Sequence, residues 1–114
     1  MFETALDEDE IIESISFSKP RSANYIKFPN PASRYAMVGV FVAQFDDGVR
    51  VAVTGAGEGG VFRHEEVETA LSSNFSADSL SSINIASDGL ISDLHASSEY
   101  RANLIKEMTK RAVV

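Results

Sequence analysis

Met37-Val38-Gly39-Val40-Phe41-Val42-Ala43-Gln44-Phe45, then Asp46-Asp47-Gly48, then Val49-Arg50-Val51-Ala52-Val53-Thr54 read as two strands joined by a tight turn. Asp-Gly between two such runs is hairpin chemistry, because the turn needs positive φ and glycine adopts it without a Cβ penalty. With Asp47-Gly48 as the two-residue loop, Val42 is expected opposite Val53 and Gln44 opposite Val51. Side chains alternate across a strand. One face therefore collects Val38, Val40, Val42, Val49, Val51 and Val53, and this is the expected core. The reverse face collects Phe41, Ala43 and Phe45 beside Arg50, Ala52 and Thr54. Two phenylalanines there call for partial cover, by a helix or by a neighbouring domain.

Working outward toward the N-terminus, residues 23–28 carry Tyr25, Ile26 and Phe28 and predict a second extended piece. Residues 11–17 alternate as Ile11, Glu13, Ile15 and Phe17 against Ile12, Ser14 and Ser16, with Ile11, Ile15 and Phe17 on one face, which predicts a half-buried strand ended by Pro20. Pro29 and Pro31 interrupt regular structure, and residues 32–36 are expected to make one helical turn. Toward the C-terminus, residues 61–63 read as a short strand. Residues 64–72 read as a helix with Val67, Ala70 and Leu71 at spacings of three and four. Ser76 is placed to cap a short helix running to Ile83, and residues 87–95 make a polar loop. The most regular helix spans residues 98–113, with Tyr100, Leu104, Ile105, Met108 and Ala112 as its apolar stripe. Strands first and helices after predict an α+β fold: a two-layer sandwich with an antiparallel sheet of three to four strands followed by about three helices.

The 114 residues suit one domain, residues 1–114, opened by an acidic entry segment over residues 1–10. The net charge is -7, and Glu3, Asp7, Glu8, Asp9, Glu10 and Glu13 supply six acids before the first base, Lys19. The rest is close to neutral. No basic patch could neutralise phosphates, so nucleic acid is an unlikely partner class on charge grounds. There is no cysteine, which removes disulfides, thiol catalysis and cysteine-ligated metal or iron–sulfur centres. No apolar run is long enough to insert into a bilayer, and no basic-then-apolar leader opens the chain; a cytoplasmic location is expected.

Gly55-Ala56-Gly57-Glu58-Gly59-Gly60 matches the G-x-G-x-x-G dinucleotide pattern and follows a strand. Three features oppose it: residues 61–63 look extended where a helix should begin, Glu58 places an anion beside any phosphate, and Asp78 opens a helix instead of closing a parallel strand. A hairpin or bulge loop is the simpler reading. A stand-alone nucleotide- or anion-binding module built on residues 55–60 stays open as an alternative, and so does self-association through Phe41 and Phe45. His64 and His95 have no third ligand at metal spacing, so no metal site is expected. Asp93 beside His95, or Asp88 with Asp93, could be drawn as acid–base pairs, though a polar turn accounts for them. The serines fit caps and turns, not nucleophile motifs. No catalytic residue emerges. Tyr25 and Lys27 lie two apart on a strand and so share a face. Such a pair can cover a flat ring and meet an anion, or it can be an exposed tyrosine beside a snorkelling lysine.

Taken in order, Thr4-Ala5-Leu6 with Glu10-Ile11-Ile12, Tyr25-Ile26-Lys27-Phe28, Pro31-Ala32-Ser33-Arg34-Tyr35-Ala36, Thr54-Gly55-Ala56-Gly57, Val61-Phe62-Arg63, Ser97-Ser98-Glu99-Tyr100-Arg101 and Arg111-Ala112 form a pattern. That pattern resembles the C-terminal domain of the FAD-containing medium subunit of carbon monoxide dehydrogenase-type molybdenum hydroxylases. The resemblance implies a small α+β domain that supports, without catalysing, electron flow from molybdenum and [2Fe–2S] centres to FAD. It implies that the FAD-binding domains lie outside these residues and that no FAD is held by this domain alone. Its partners would be those N-terminal FAD-binding domains, an iron–sulfur small subunit and a molybdopterin large subunit. Tyr25 matches a tyrosine that can lie against the isoalloxazine ring, and Lys27 matches a commonly basic neighbour; these are the two expected cofactor contacts. Pro31 stands where many members have Arg, and Arg34 where many have Asp, which marks a subgroup. In the resemblance residues 55–60 are the domain's own loop, not the family's phosphate-binding glycines.

Overall fold

A computed structural model describes residues 4–113. Strands β1 (Ser22–Pro29), β2 (Ala36–Phe45), β3 (Gly48–Thr54) and β4 (Phe62–Arg63) form one antiparallel sheet in the order β1-β2-β3-β4. Helix α1 (Glu65–Ser73), a 3₁₀ turn (Ala77–Leu80) and helix α2 (Ser98–Ala112) follow. The fold is α+β as expected, with the third helical element reduced to a single 3₁₀ turn.

The hairpin register differs from the expectation by two residues. Val42 pairs with Val51, Val40 with Val53, and Phe45 with Gly48, so the loop is Asp46-Asp47. Neither aspartate has positive φ; Gly48 takes it instead, at 141°. Because the pleat repeats every two residues, a two-residue shift keeps every side chain on its face. All six valines are accordingly buried in one core. Against them pack Val67 and Leu71 of α1, Leu80, and Leu104, Ile105, Met108 and Ala112 of α2.

Three further expectations are corrected. Residues 11–17 form no strand: among the described residues they have no sheet partner, and Ile11, Ile15 and Phe17 are 87%, 78% and 86% exposed. Alternation alone does not make a strand: β1 is an edge of the sheet, yet residues 11–17 do not pair with it. Residues 31–33 make a turn and Ala36 already opens β2, because Asn30 Oδ1 accepts the Ala32 and Ser33 N–H groups and diverts the backbone from a helix. In α2 Tyr100 is half exposed, while the neighbouring Arg101 is buried.

The edge of β3 is closed in an unusual way. β4 covers only Ala52 and Val53. Beyond it, Glu68 and Ser72, four apart on α1, turn their oxygens to the bare strand: Glu68 Oε1 accepts the Val51 N–H at 2.8 Å and Ser72 Oγ accepts the Val49 N–H at 2.9 Å. Side chains thus take the place of a ladder partner.

Candidate functional site

Strand β1 turns Asn24, Ile26 and Phe28 toward the core layer, and Tyr25 and Lys27 toward the reverse face of the sheet. Tyr25 pairs with Phe41, and Lys27 with Gly39. The absence of a side chain at Gly39 is what lets the Tyr25 ring lie over β2: the space a Cβ would occupy there is filled by the Tyr25 hydroxyl end and the Thr54 hydroxyl. Tyr25 is 46% exposed and Phe41 42%. Together they offer aromatic surface left open among the described residues. Lys27 Nζ donates to the Arg34 carbonyl at 3.0 Å. That holds down the turn after Asn30, where Arg34 has a φ of 66°. Two of the three ammonium protons remain free to donate.

Alongside Phe41 the same face opens into a shallow cavity of about 790 Å³, bounded by Phe17, Lys19, Arg21, Phe45, Asp47 and Arg50. Arg50 sits 5.7 Å from the centre of the Phe45 ring and 3.0 Å from Asp47 Oδ2, so its charge is already partnered. The sheet therefore brings Tyr25, Lys27 and Phe41 to one surface, but no cavity encloses the Tyr25–Lys27 pair. These groups suit one-sided contact with a flat, anionic ring that is held from elsewhere; they do not make a cradle.

Residues 55–60 do not form a phosphate site. Glu58 N–H donates to the Gly89 carbonyl and Gly60 N–H to the Gly57 carbonyl, while Ile91 N–H reaches the Ala56 carbonyl. Gly57 bridges to Leu90, Ala56 is fully buried, and the helix that follows the loop does not start until Glu65. The cavity of about 410 Å³ beside this loop is lined by Glu66 and Asp88 and by neither lysine nor arginine. Glycine here serves close packing: a Cβ on Gly57 would stand 2.7 Å from the Gly60 carbonyl oxygen.

Asp93 and His95 do not form an acid–base pair. Asp93 Oδ1 accepts the His95 and Ala96 backbone N–H groups, and Oδ2 meets Arg101 Nη2 at 2.9 Å. The His95 N–H first, then the Ala96 N–H and the Arg101 guanidinium, hold the Asp93 carboxyl below its ordinary pKa against the opposing effect of desolvation. Arg101 also donates to the Met37 carbonyl at 2.7 Å and the Gly55 carbonyl at 3.2 Å. It is a buried clasp that ties β2, the glycine loop and the residue-93 turn to α2. Among the described residues no three His, Asp or Glu side chains gather as a metal site, and no helix is long and apolar enough to cross a membrane.

No family model matches the chain, and no solved structure matches it. Among curated proteins the chain is similar to the nicotine 6-hydroxylase medium subunit of Paenarthrobacter nicotinovorans, at 33% identity over 97% of this chain. The chain spans 42% of that relative's length, so the likeness is that of a domain-sized portion of a hydroxylase medium subunit.

Proposed function

We propose that the chain is the C-terminal structural and docking domain of the FAD-containing medium subunit of a molybdenum hydroxylase, and that it is not catalytic alone. The observation that carries this reading is the collinear similarity to a hydroxylase medium subunit across 97% of the chain but 42% of the relative. The half-exposed Tyr25 and Phe41 beside Lys27 support it, because they form a surface that a separately held ring and its domain would cover. In this reading FAD is bound by the N-terminal FAD-binding domains of the same subunit, and Tyr25 and Lys27 touch it from one side. The iron–sulfur and molybdopterin subunits pass electrons to that flavin. When bound, the flavin supplies the redox chemistry; this domain supplies aromatic cover, a cation and exclusion of water.

Two titrations test the reading by flavin absorbance and fluorescence. The 114-residue chain mixed with FAD is expected to give no saturable change. The subunit that carries this domain is expected to retain flavin, and to lose it more readily as Tyr25→Ala, with a smaller effect for Lys27→Ala. Stoichiometric flavin on the isolated chain overturns the proposal, as does a full subunit that binds none.

A further inference from the structure

Residues 11–17 hold the largest concentration of apolar surface outside the core. Ile11, Ile12, Ile15 and Phe17 are 87%, 65%, 78% and 86% exposed within seven residues. A solvated tail gains nothing from four such side chains, whereas at strand period Ile11, Ile15 and Phe17 share one face, broken only by Glu13, and Ile12 shares the other with Ser14 and Ser16. Among the described residues, the backbone of residues 11–20 makes no hydrogen bond to the rest of the chain. The base of the segment is nevertheless fixed: Arg21 N–H donates to the Gln44 carbonyl at 2.7 Å, and the Arg21 side chain pairs with Asp46. An anchored, apolar, strand-patterned arm with open backbone groups is the form of a segment that completes someone else's sheet.

The chain's own sheet does not accept it. The β3–β4 edge is sealed by β4, Glu68 and Ser72, and β1 follows the arm directly after Pro20 without pairing to it. We infer that residues 11–17 add as an edge strand to a β-sheet in the remainder of the parent subunit, docking this domain to its neighbour through main-chain bonds and the Ile11–Ile15–Phe17 face. The acceptor is placed in the same subunit because the similar medium subunit has more than half its length outside the matched portion. In that respect the inference rests on the proposed function. The acidic run Asp7 to Glu10 just before the arm adds direction, since like charges there oppose pairing of two arms with each other.

Hydrogen exchange compares the 114-residue chain with the full subunit. Amides of residues 12–17 are expected to exchange at the free-peptide rate in the isolated chain and to be protected at least tenfold in the subunit. Ile15→Asp is expected to abolish that protection while leaving the melting temperature of the isolated chain unchanged. Free exchange of these amides in a folded, flavin-containing subunit overturns the inference but leaves the functional reading standing. Protection in a folded subunit that lacks flavin does the reverse. Concentration-dependent protection in the isolated chain, with a dimer by light scattering, assigns the arm to a second copy and also overturns it.

Discussion

Arg101 shows what one side chain does when it is buried for structural reasons. It is 4% exposed and spends its guanidinium on two backbone carbonyls and Asp93. Arg101→Met keeps much of the volume but leaves those carbonyls without a donor, so a loss of about 3 kcal/mol is expected by urea denaturation, in keeping with the cost of removing one member of a buried polar set. Glu68 is the acidic counterpart. Burial alone pushes its carboxyl up, but hydrogen bonds from Arg63 and the Val51 N–H outweigh that and hold it below the model-compound value of 4.5. A carboxyl depressed in the folded state adds stability that is complete above its unfolded pKa and is lost as pH falls through the folded one. Asp93, Glu99 and Glu107 are depressed too and act in the same direction. The urea midpoint is therefore expected to be flat from neutral pH to about 5 and to fall below that. Glu68→Gln is expected to lower the unfolding free energy at pH 7 by about 1.5 kcal/mol, read as a lower urea midpoint, and to flatten the acid limb. Neither residue was legible beforehand. Arg101 sits one position from the expected Tyr100, and its carbonyl partners come from the glycine loop and strand β2, 46 and 64 residues away in sequence. Glu68 meets its Val51 partner only across the fold, 17 residues away in sequence, a pairing no local pattern encodes.

At the scale of elements, the glycine loop separates two roles that its motif conflates. Gly57 has the Gly60 carbonyl oxygen and Phe62 within 3 Å of any added Cβ, whereas Gly59 has nothing within 4 Å and an ordinary φ. Gly57→Ala is expected to lower the melting temperature clearly, and Gly59→Ala to change stability by no more than about 0.5 kcal/mol. A thermal melt of the pair distinguishes a packing loop from a ligand loop, since only the latter should be indifferent in the absence of ligand. The hairpin and α2 are readable because their signals are local: valines at period two, Asp-Gly, and along the helix an apolar stripe with an acid near its start and bases near its end. The register was off by two because the turn is set by where positive φ falls, at Gly48 alone, and the dipeptide does not reveal whether its glycine lies inside the loop or just past it. Tyr25 and Lys27 were placed on one face correctly by parity. That Gly39 makes room for the Tyr25 ring depends on pairing with β2, which local pattern does not give.

The molecule as a whole divides into a packed sandwich and an arm. Its radius of gyration is 15.2 Å, against about 13 Å for a compact chain of this length. Among the described residues none before β2 is buried. Deleting residues 1–16 is therefore expected to move the melting temperature of the isolated domain by no more than about 2 °C, as read by circular dichroism. A larger fall would show that the arm belongs to this core. Charge follows the same division, with six of the acids in the arm and its approach and near neutrality in the rest.

The carboxylate and hydroxyl that α1 lends to β3 reach beyond the stability of one helix. With that side stoppered, the sheet's own ladder is open along β1 alone. Two such sheets can join at that margin, or one can take a single visitor, and through the sheet edges by themselves the growth goes no further.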